Sequence, residues 1–110
     1  VRAQARSLAS MRSLGRALYA IKANANREVL EAVADCGLSF ECVSRGEVER
    51  VREALPGLDR GRLLFTPNFA PREEYAWALA GGIRTTVDNV FVLRAWPELF
   101  EGREIFVRID

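Results

Sequence analysis

Histidine is absent from this sequence of 110 residues. That removes His-based triads, His general bases and His metal ligands from the residues shown. Cysteine is scarce, with Cys36 and Cys42 alone. A CxxxxxC pair without further ligands is a poor zinc site, and reduced thiols of a cytoplasmic protein are the expectation. No apolar run approaches the ~20 residues that span a bilayer. The Arg- and Ala-rich start is not followed by the apolar core and cleavage site of a secretory signal. Net charge is only +1, so nothing points to a nucleic-acid or membrane surface. No Gly-rich phosphate turn follows the first apolar run, which counts against a dinucleotide-binding Rossmann unit.

What is present is a globular composition, 49% apolar and 28% charged, at a length that suits one small domain. Five short apolar runs recur at intervals of roughly 20–24 residues. They are LYAIK from Leu18, LSFECVS from Leu38, RLLFT from Arg62, IRTTVD from Ile83 and IFVRID from Ile105. Each is short and rich in β-branched or aromatic residues, as strands are. Helical patterns lie before and between them: Val1 to Leu14, Glu28 to Cys36, Arg45 to Leu55, Pro71 to Ala80, and Asn89 to Trp96, stopped by Pro97. Gly37, Pro56-Gly57 and Gly81-Gly82 supply helix stops. Alternating strands and helices predict parallel βα units. A doubly wound sheet and a (β/α)8 TIM barrel both fit that alternation. About five units amount to a partial barrel, since a closed one needs eight units and ~250 residues. The last run reads as a core strand with nothing after it, so a fragment is expected.

Polar residues gather at the ends of these runs, where parallel α/β folds bind ligands. The plainer reading is that strand ends are polar because loops are polar. Alternation of faces along a strand sharpens the picture. With Tyr19 and Ile21 on one face, Ala20 and Lys22 fall on the other. With Phe40 and Cys42 toward covering helices, Glu41 points inward. With Ile105, Val107 and Ile109 outward, Phe106 and Arg108 point in. Lys22, Glu41 and Arg108 are therefore expected to converge on a barrel mouth, where isolated charges must pair or hold a ligand. A structural ion-pair cluster satisfies that pattern as well as a functional site does. Lysine chemistry in such a place is specific: a neutral amine is a nucleophile that forms Schiff bases with carbonyls. A neighbouring cation favours that form, and a carboxylate such as Glu41 opposes it.

The stretch YAIKANAN, Tyr19 to Asn26, followed by VLEAVADCGLSFECVSRGEVERV, resembles the amino-acid decarboxylases that bind pyridoxal 5'-phosphate (PLP) on an alanine-racemase-like barrel. Lys22 matches the lysine that holds PLP in that family. Phe40, Ser44 and Glu47 match a Phe-Asp-x-x-Ser-x-x-Glu stretch, with Glu41 replacing the usual aspartate. Arg108 matches an arginine near the cofactor ring. LLFTPNFAPREEYAWAL and VFVLRAWPELFEGREIFVRID are most similar to the diaminopimelate decarboxylase part of proteins that also carry an aspartate kinase. Whether a kinase is attached here stays open. The resemblance covers Ala17 to Asp110.

The resemblance implies that residues 1–110 are the N-terminal part of the PLP-binding barrel. A ring-stacking histidine, a Gly-rich phosphate loop, an acidic partner of the pyridine nitrogen and a C-terminal β-domain would come later in the family's chain. By itself this segment would then bind PLP weakly and not catalyse. The parent would be a cytoplasmic homodimer that decarboxylates meso-diaminopimelate to lysine and CO2. Lys22 would be catalytic, Glu41 and Arg108 would bind the cofactor, and Ser44, Glu47 and Asn68 would support loops. No metal is expected. An ornithine- or arginine-type decarboxylase, an amino-acid racemase, a non-catalytic regulatory relative and a stand-alone half-barrel remain alternatives.

Overall fold

The sheet is wound in sequence order. The computed structural model describes residues 1–109, and Asp110, expected as the last residue of the fifth strand, lies outside the described residues. Helix α1 (Arg2–Ala9) precedes strand β1 (Leu18–Ala20) and a 3-10 turn (Ile21–Ala23). Then come α2 (Arg27–Asp35), β2 (Ser39–Cys42), α3 (Arg45–Ala54), a second 3-10 turn (Arg60–Arg62) and β3 (Leu63–Phe65). Helix α4 (Arg72–Ala80), β4 (Arg84–Val87), α5 (Val90–Ala95), α6 (Pro97–Phe100) and β5 (Phe106–Val107) complete the described chain. The strands lie in the order β1-β2-β3-β4-β5, each pair parallel. A doubly wound sheet reverses its strand order at a switch point. Unbroken sequential order is the winding of a barrel wall, and it decides between the two architectures.

Side-chain alternation separates the two faces. Phe40, Cys42, Phe65 and Thr85 are fully buried beneath the helices, with Leu63 and Val87 almost so. Their neighbours Ala20, Glu41, Leu64, Arg84 and Thr86 point to the other face and are only half-buried; Ser39 on that face is buried. The helical side holds two apolar clusters. One packs α2 and α3 on the first three strands through Leu30, Val33, Val48 and Val51. The other joins Tyr75, Leu79, Val87, Val92 and Phe100. Phe65 bridges them, meeting Tyr75 and Trp77 edge-on at ring separations of 6.4 and 6.3 Å, a favoured aromatic geometry. Arg45 and Arg52 of α3 lie over the Trp77 ring of α4, at 4.9 and 5.9 Å, within cation–π reach.

Helix ends follow local chemistry. Asn26, Ser44 and Asn89 cap α2, α3 and α5, each accepting a backbone N–H through its side chain, as N-cap residues do. At Gly37 and Gly82 the chain turns left-handed, with φ of 83° and 67°. Paired bonds close both helix ends: Gly37 N–H to Ala34 C=O and Leu38 N–H to Val33 C=O, then Gly82 to Leu79 and Ile83 to Ala78. These are Schellman motifs. The chain after α3 takes no left-handed glycine; Leu55 ends that helix and Gly57 follows with ordinary φ.

Three expectations change. The first helix ends at Ala9 rather than Leu14, because it buries Ala5 alone and leaves Leu8, Met11 and Leu14 exposed. Pro97 does not only stop α5 but opens α6 from its first position, where its missing N–H costs nothing. The fifth strand shrinks to Phe106–Val107, and Val107 and Ile109 are 54% and 90% exposed. No helix among the described residues packs on them; Ile105 alone of that trio joins a core cluster. No helix among the described residues is long and apolar enough to cross a membrane.

Ser44 is the cap whose loss reads most directly. Ser44→Ala lowers stability by about 1 kcal/mol, measured as a reduced urea midpoint at unchanged m-value.

Candidate functional site at the strand C-terminal ends

Lys22 is placed by a turn rather than a strand. The β1–β2 pairing ends with Ala20 opposite Glu41. Beyond it the backbone tightens into the 3-10 turn, which buries Ile21 completely and leaves Lys22 exposed. The strand alternation that assigned Lys22 to the inner face therefore does not reach it. A relay of hydrogen bonds holds the turn. The Tyr19 hydroxyl donates to the Asn24 carbonyl at 3.1 Å, the Asn26 N–H to Asn24 Oδ1 at 2.9 Å, and the Glu28 N–H to Asn26 Oδ1 at 2.9 Å. The last of these is also the α2 cap, so helix start and lysine turn share one network. The turn packs against β2. Among the described residues Lys22 forms no hydrogen bond or ion pair.

Glu41 points to the inner face, as its alternation with buried Phe40 and Cys42 requires. It does not pair with Lys22 or Arg108. Its carboxylate accepts from the Thr66 hydroxyl. Sequence reasoning counts Thr66 among the polar strand ends but gives it no role, and the signal that could have given it one is its position two residues after inward-facing Leu64. Arg108 follows β5; its N–H donates to the Val87 carbonyl at 2.9 Å and its guanidinium to Asn68 Oδ1 at 3.4 Å. Asn68 and Arg108, forty residues apart in sequence, are thus brought together. The next residue after Asn68, Phe69, is 85% exposed and sits at φ 51°, a conformation that non-glycine residues adopt at a cost.

Ser44 and Glu47 meet each other. The Glu47 N–H donates to Ser44 Oγ at 3.2 Å, and Glu47 Oε2 accepts from the Val43 N–H at 2.7 Å. This is a capping box whose acid reaches one residue further back than usual. It fixes the loop from β2 into α3. Cys42, behind Glu41, is fully buried. Burial pushes its thiol up to about 12, with the Glu47 and Glu41 charges adding to it. Such a thiol stays protonated and inert.

A concavity of about 360 Å³ is lined by Leu18, Ser39, Leu63, Arg84 and Phe106 among others. Each of these opens its strand, so this space lies at the opposite end of the sheet from Lys22. It is the lower part of the inner face, not the site.

The chain matches, over residues 1–110, the family described as pyridoxal-dependent decarboxylase, pyridoxal binding domain. It belongs to that family. The family's cofactor is pyridoxal phosphate, and the residues here fit it in kind: an exposed primary amine for a carbonyl, with an acid and a guanidinium on the same rim. Diaminopimelate decarboxylase of Pseudomonas aeruginosa is 40% identical over 82 residues, 74% of this chain and 19% of that protein. Ornithine decarboxylase of Neurospora crassa is 29% identical over 92 residues, 83% of this chain and 19% of that protein. The chain thus spans about a fifth of the length of these curated relatives. The crystal structure of ornithine decarboxylase from Entamoeba histolytica superposes with a TM-score of 0.80 at 21% identity, covering 98% of this chain and 33% of that one. Diaminopimelate decarboxylase from Helicobacter pylori, complexed with L-lysine, gives 0.72 at 26% identity, covering 89% of this chain and 25% of that one. The fold is that of the decarboxylase barrels, of which these residues form part of the wall.

The two thiols of the folded protein should differ in reactivity. A thiol at about 12 is thiolate to only about 10⁻⁴ at pH 8. Half-buried Cys36 reacts with Ellman's reagent in the native state, and Cys42 reacts only after unfolding, as mapped by mass spectrometry. Equal native rates would contradict this burial.

Proposed function

We propose that this chain is the lysine-bearing part of a PLP-dependent decarboxylase whose substrate is meso-diaminopimelate and whose products are lysine and CO2. The observation that carries the reading is Lys22, exposed and without a partner among the described residues, at the C-terminal end of the first strand. Seven of eight curated relatives are diaminopimelate decarboxylases, which supports the substrate. The Neurospora relative favours ornithine as a second reading. A cytoplasmic, homodimeric parent belongs to the same proposal.

Bound PLP supplies an electron sink for the carbanion that loss of CO2 leaves. Lys22 is the residue that would hold the cofactor, covalently through Nζ, and that would release it in exchange for the substrate's α-amine. The Tyr19–Asn24–Asn26 relay keeps the Lys22 backbone in one place during that exchange. Glu41 and Arg108 set the charge around the amine and the ring, and Asn68 orients Arg108. Ser44 and Glu47 brace the loop behind Glu41.

In the full-length protein, Lys22→Ala abolishes the visible cofactor absorbance and lowers CO2 release by roughly a thousandfold or more. A variant with normal absorbance and turnover would overturn the assignment. A panel of meso-diaminopimelate, ornithine, arginine and lysine decides the substrate: preference for diaminopimelate supports this reading, and preference for ornithine replaces it.

The turn itself gives a further expectation. Tyr19→Phe removes the donor to the Asn24 carbonyl, and the cost is about 1 kcal/mol of stability. Amide exchange at Lys22 to Asn26 rises while that of β3 and β4 is unchanged.

A further inference from the structure

We infer that Thr66 is a positioning residue that fixes the Glu41 carboxylate beside the lysine turn. The inference rests on the reading of Lys22 as the covalent anchor. Glu41 stands between Ala20 on one neighbouring strand and Leu64 on the other. Both are apolar, so neither can hold a carboxylate. Thr66 can. Its N–H donates to the Cys42 carbonyl at 2.8 Å, which carries the β2–β3 pairing one residue beyond the strand. That bond locks the backbone, and β-branching limits χ1. The hydroxyl is then delivered to Glu41 Oε1.

The assignment of donor follows from chemistry. A hydroxyl has one proton, and an ionised carboxylate only accepts. The other acceptor within reach, the Cys42 carbonyl, lies at 3.5 Å, too long to compete. A bond to a charged acceptor is also the stronger of the two. Glutamate has one more rotatable bond than aspartate, and so more freedom to lose when it is held in one direction. Thr66 removes that freedom. Glu41 Oε2 has no hydrogen-bond partner among the described residues, so it is left to accept from an amine at the rim. The 3-10 turn that carries Lys22 packs on the same strand. Thr66 would therefore act through Glu41, by presenting a directed acid to the amine that must enter or leave the Lys22 position.

The test uses full-length protein stripped of cofactor and mixed with pyridoxal phosphate. Covalent capture at Lys22 is followed by visible absorbance and, after borohydride reduction, by the mass of the Tyr19–Asn26 peptide. Thr66→Val slows capture by roughly tenfold or more, the loss expected for a hydrogen bond to a charged group. Thr66→Ser, which keeps the hydroxyl, stays within about twofold of the unaltered protein. In a Glu41→Gln background, Thr66→Val adds less than about twofold. Thermal midpoints establish that the variants are folded, and Thr66→Ala replaces Thr66→Val if the valine does not fold. Normal capture by the Val or Ala variant overturns the inference. So do equal losses in the Val and Ser variants, or an undiminished effect of Thr66→Val in the Glu41→Gln background. If the unaltered protein itself gains no adduct at Lys22, the reading of Lys22 falls and the role of Thr66 falls with it. If it does gain one and Thr66→Val matches it, the role of Thr66 alone falls.

Discussion

Alternation of side chains along five short parallel strands is the constraint on which the rest depends. One set, Phe40, Cys42, Leu63, Phe65, Thr85 and Val87, is taken out of water by the helices. Burial of this kind contributes roughly 25 cal/mol per Å² of apolar surface, and the helix residues Leu30, Val33, Val48, Val51 and Tyr75 are buried against that set. Once that set is committed to the helical layer, geometry turns Glu41, Leu64 and Thr86 the other way. A slip of one residue in any strand would expose its core set and bury its polar set. The polar rim is therefore held in place by the apolar side of the same strands.

Much of this is readable in the residues themselves. The position of Glu41 follows from Phe40 and Cys42 flanking it, and helix stops at Gly37 and Gly82 follow from the need for a left-handed turn. The Ser44–Glu47 spacing carries its own capping geometry. The failures have physical causes too. Lys22 reads as a strand residue because LYAIK is a continuous run, yet pairing ends at Ala20 and buried Ile21 pulls the chain into a turn. The pairing of Arg108 with Asn68 crosses forty residues, and no local pattern encodes it. Thr66 is given no role since a threonine at a strand end usually marks only a loop. Its partner becomes visible only when β2 and β3 are set in register.

The site is built from two kinds of support. Around Lys22 the support is backbone and amide chemistry: a tyrosine hydroxyl and two asparagine side chains close a short turn against the start of α2. Around Glu41 and Arg108 it is side-chain chemistry between separate strand ends, from Thr66 to Glu41 and from Arg108 to Asn68. The first arrangement fixes the backbone of the turn that carries Lys22. The second sets charges that can be tuned by one substitution at a time. Cys42, behind Glu41, is a protonated, buried filler rather than a reactive thiol.

Sequential winding has a consequence for how the molecule is made. Every strand after the first pairs with the one just before it in the chain, about twenty residues back. Each pairing closes a loop of similar length, so no strand has to wait for one far along the chain. During synthesis from the N-terminus, the Lys22 turn can be completed as soon as β2 has emerged and docked. Glu41 is secured when Thr66 arrives, and Arg108 last of all. The rim is assembled as a growing arc, with the Lys22 turn in position before Arg108 is added at its far end.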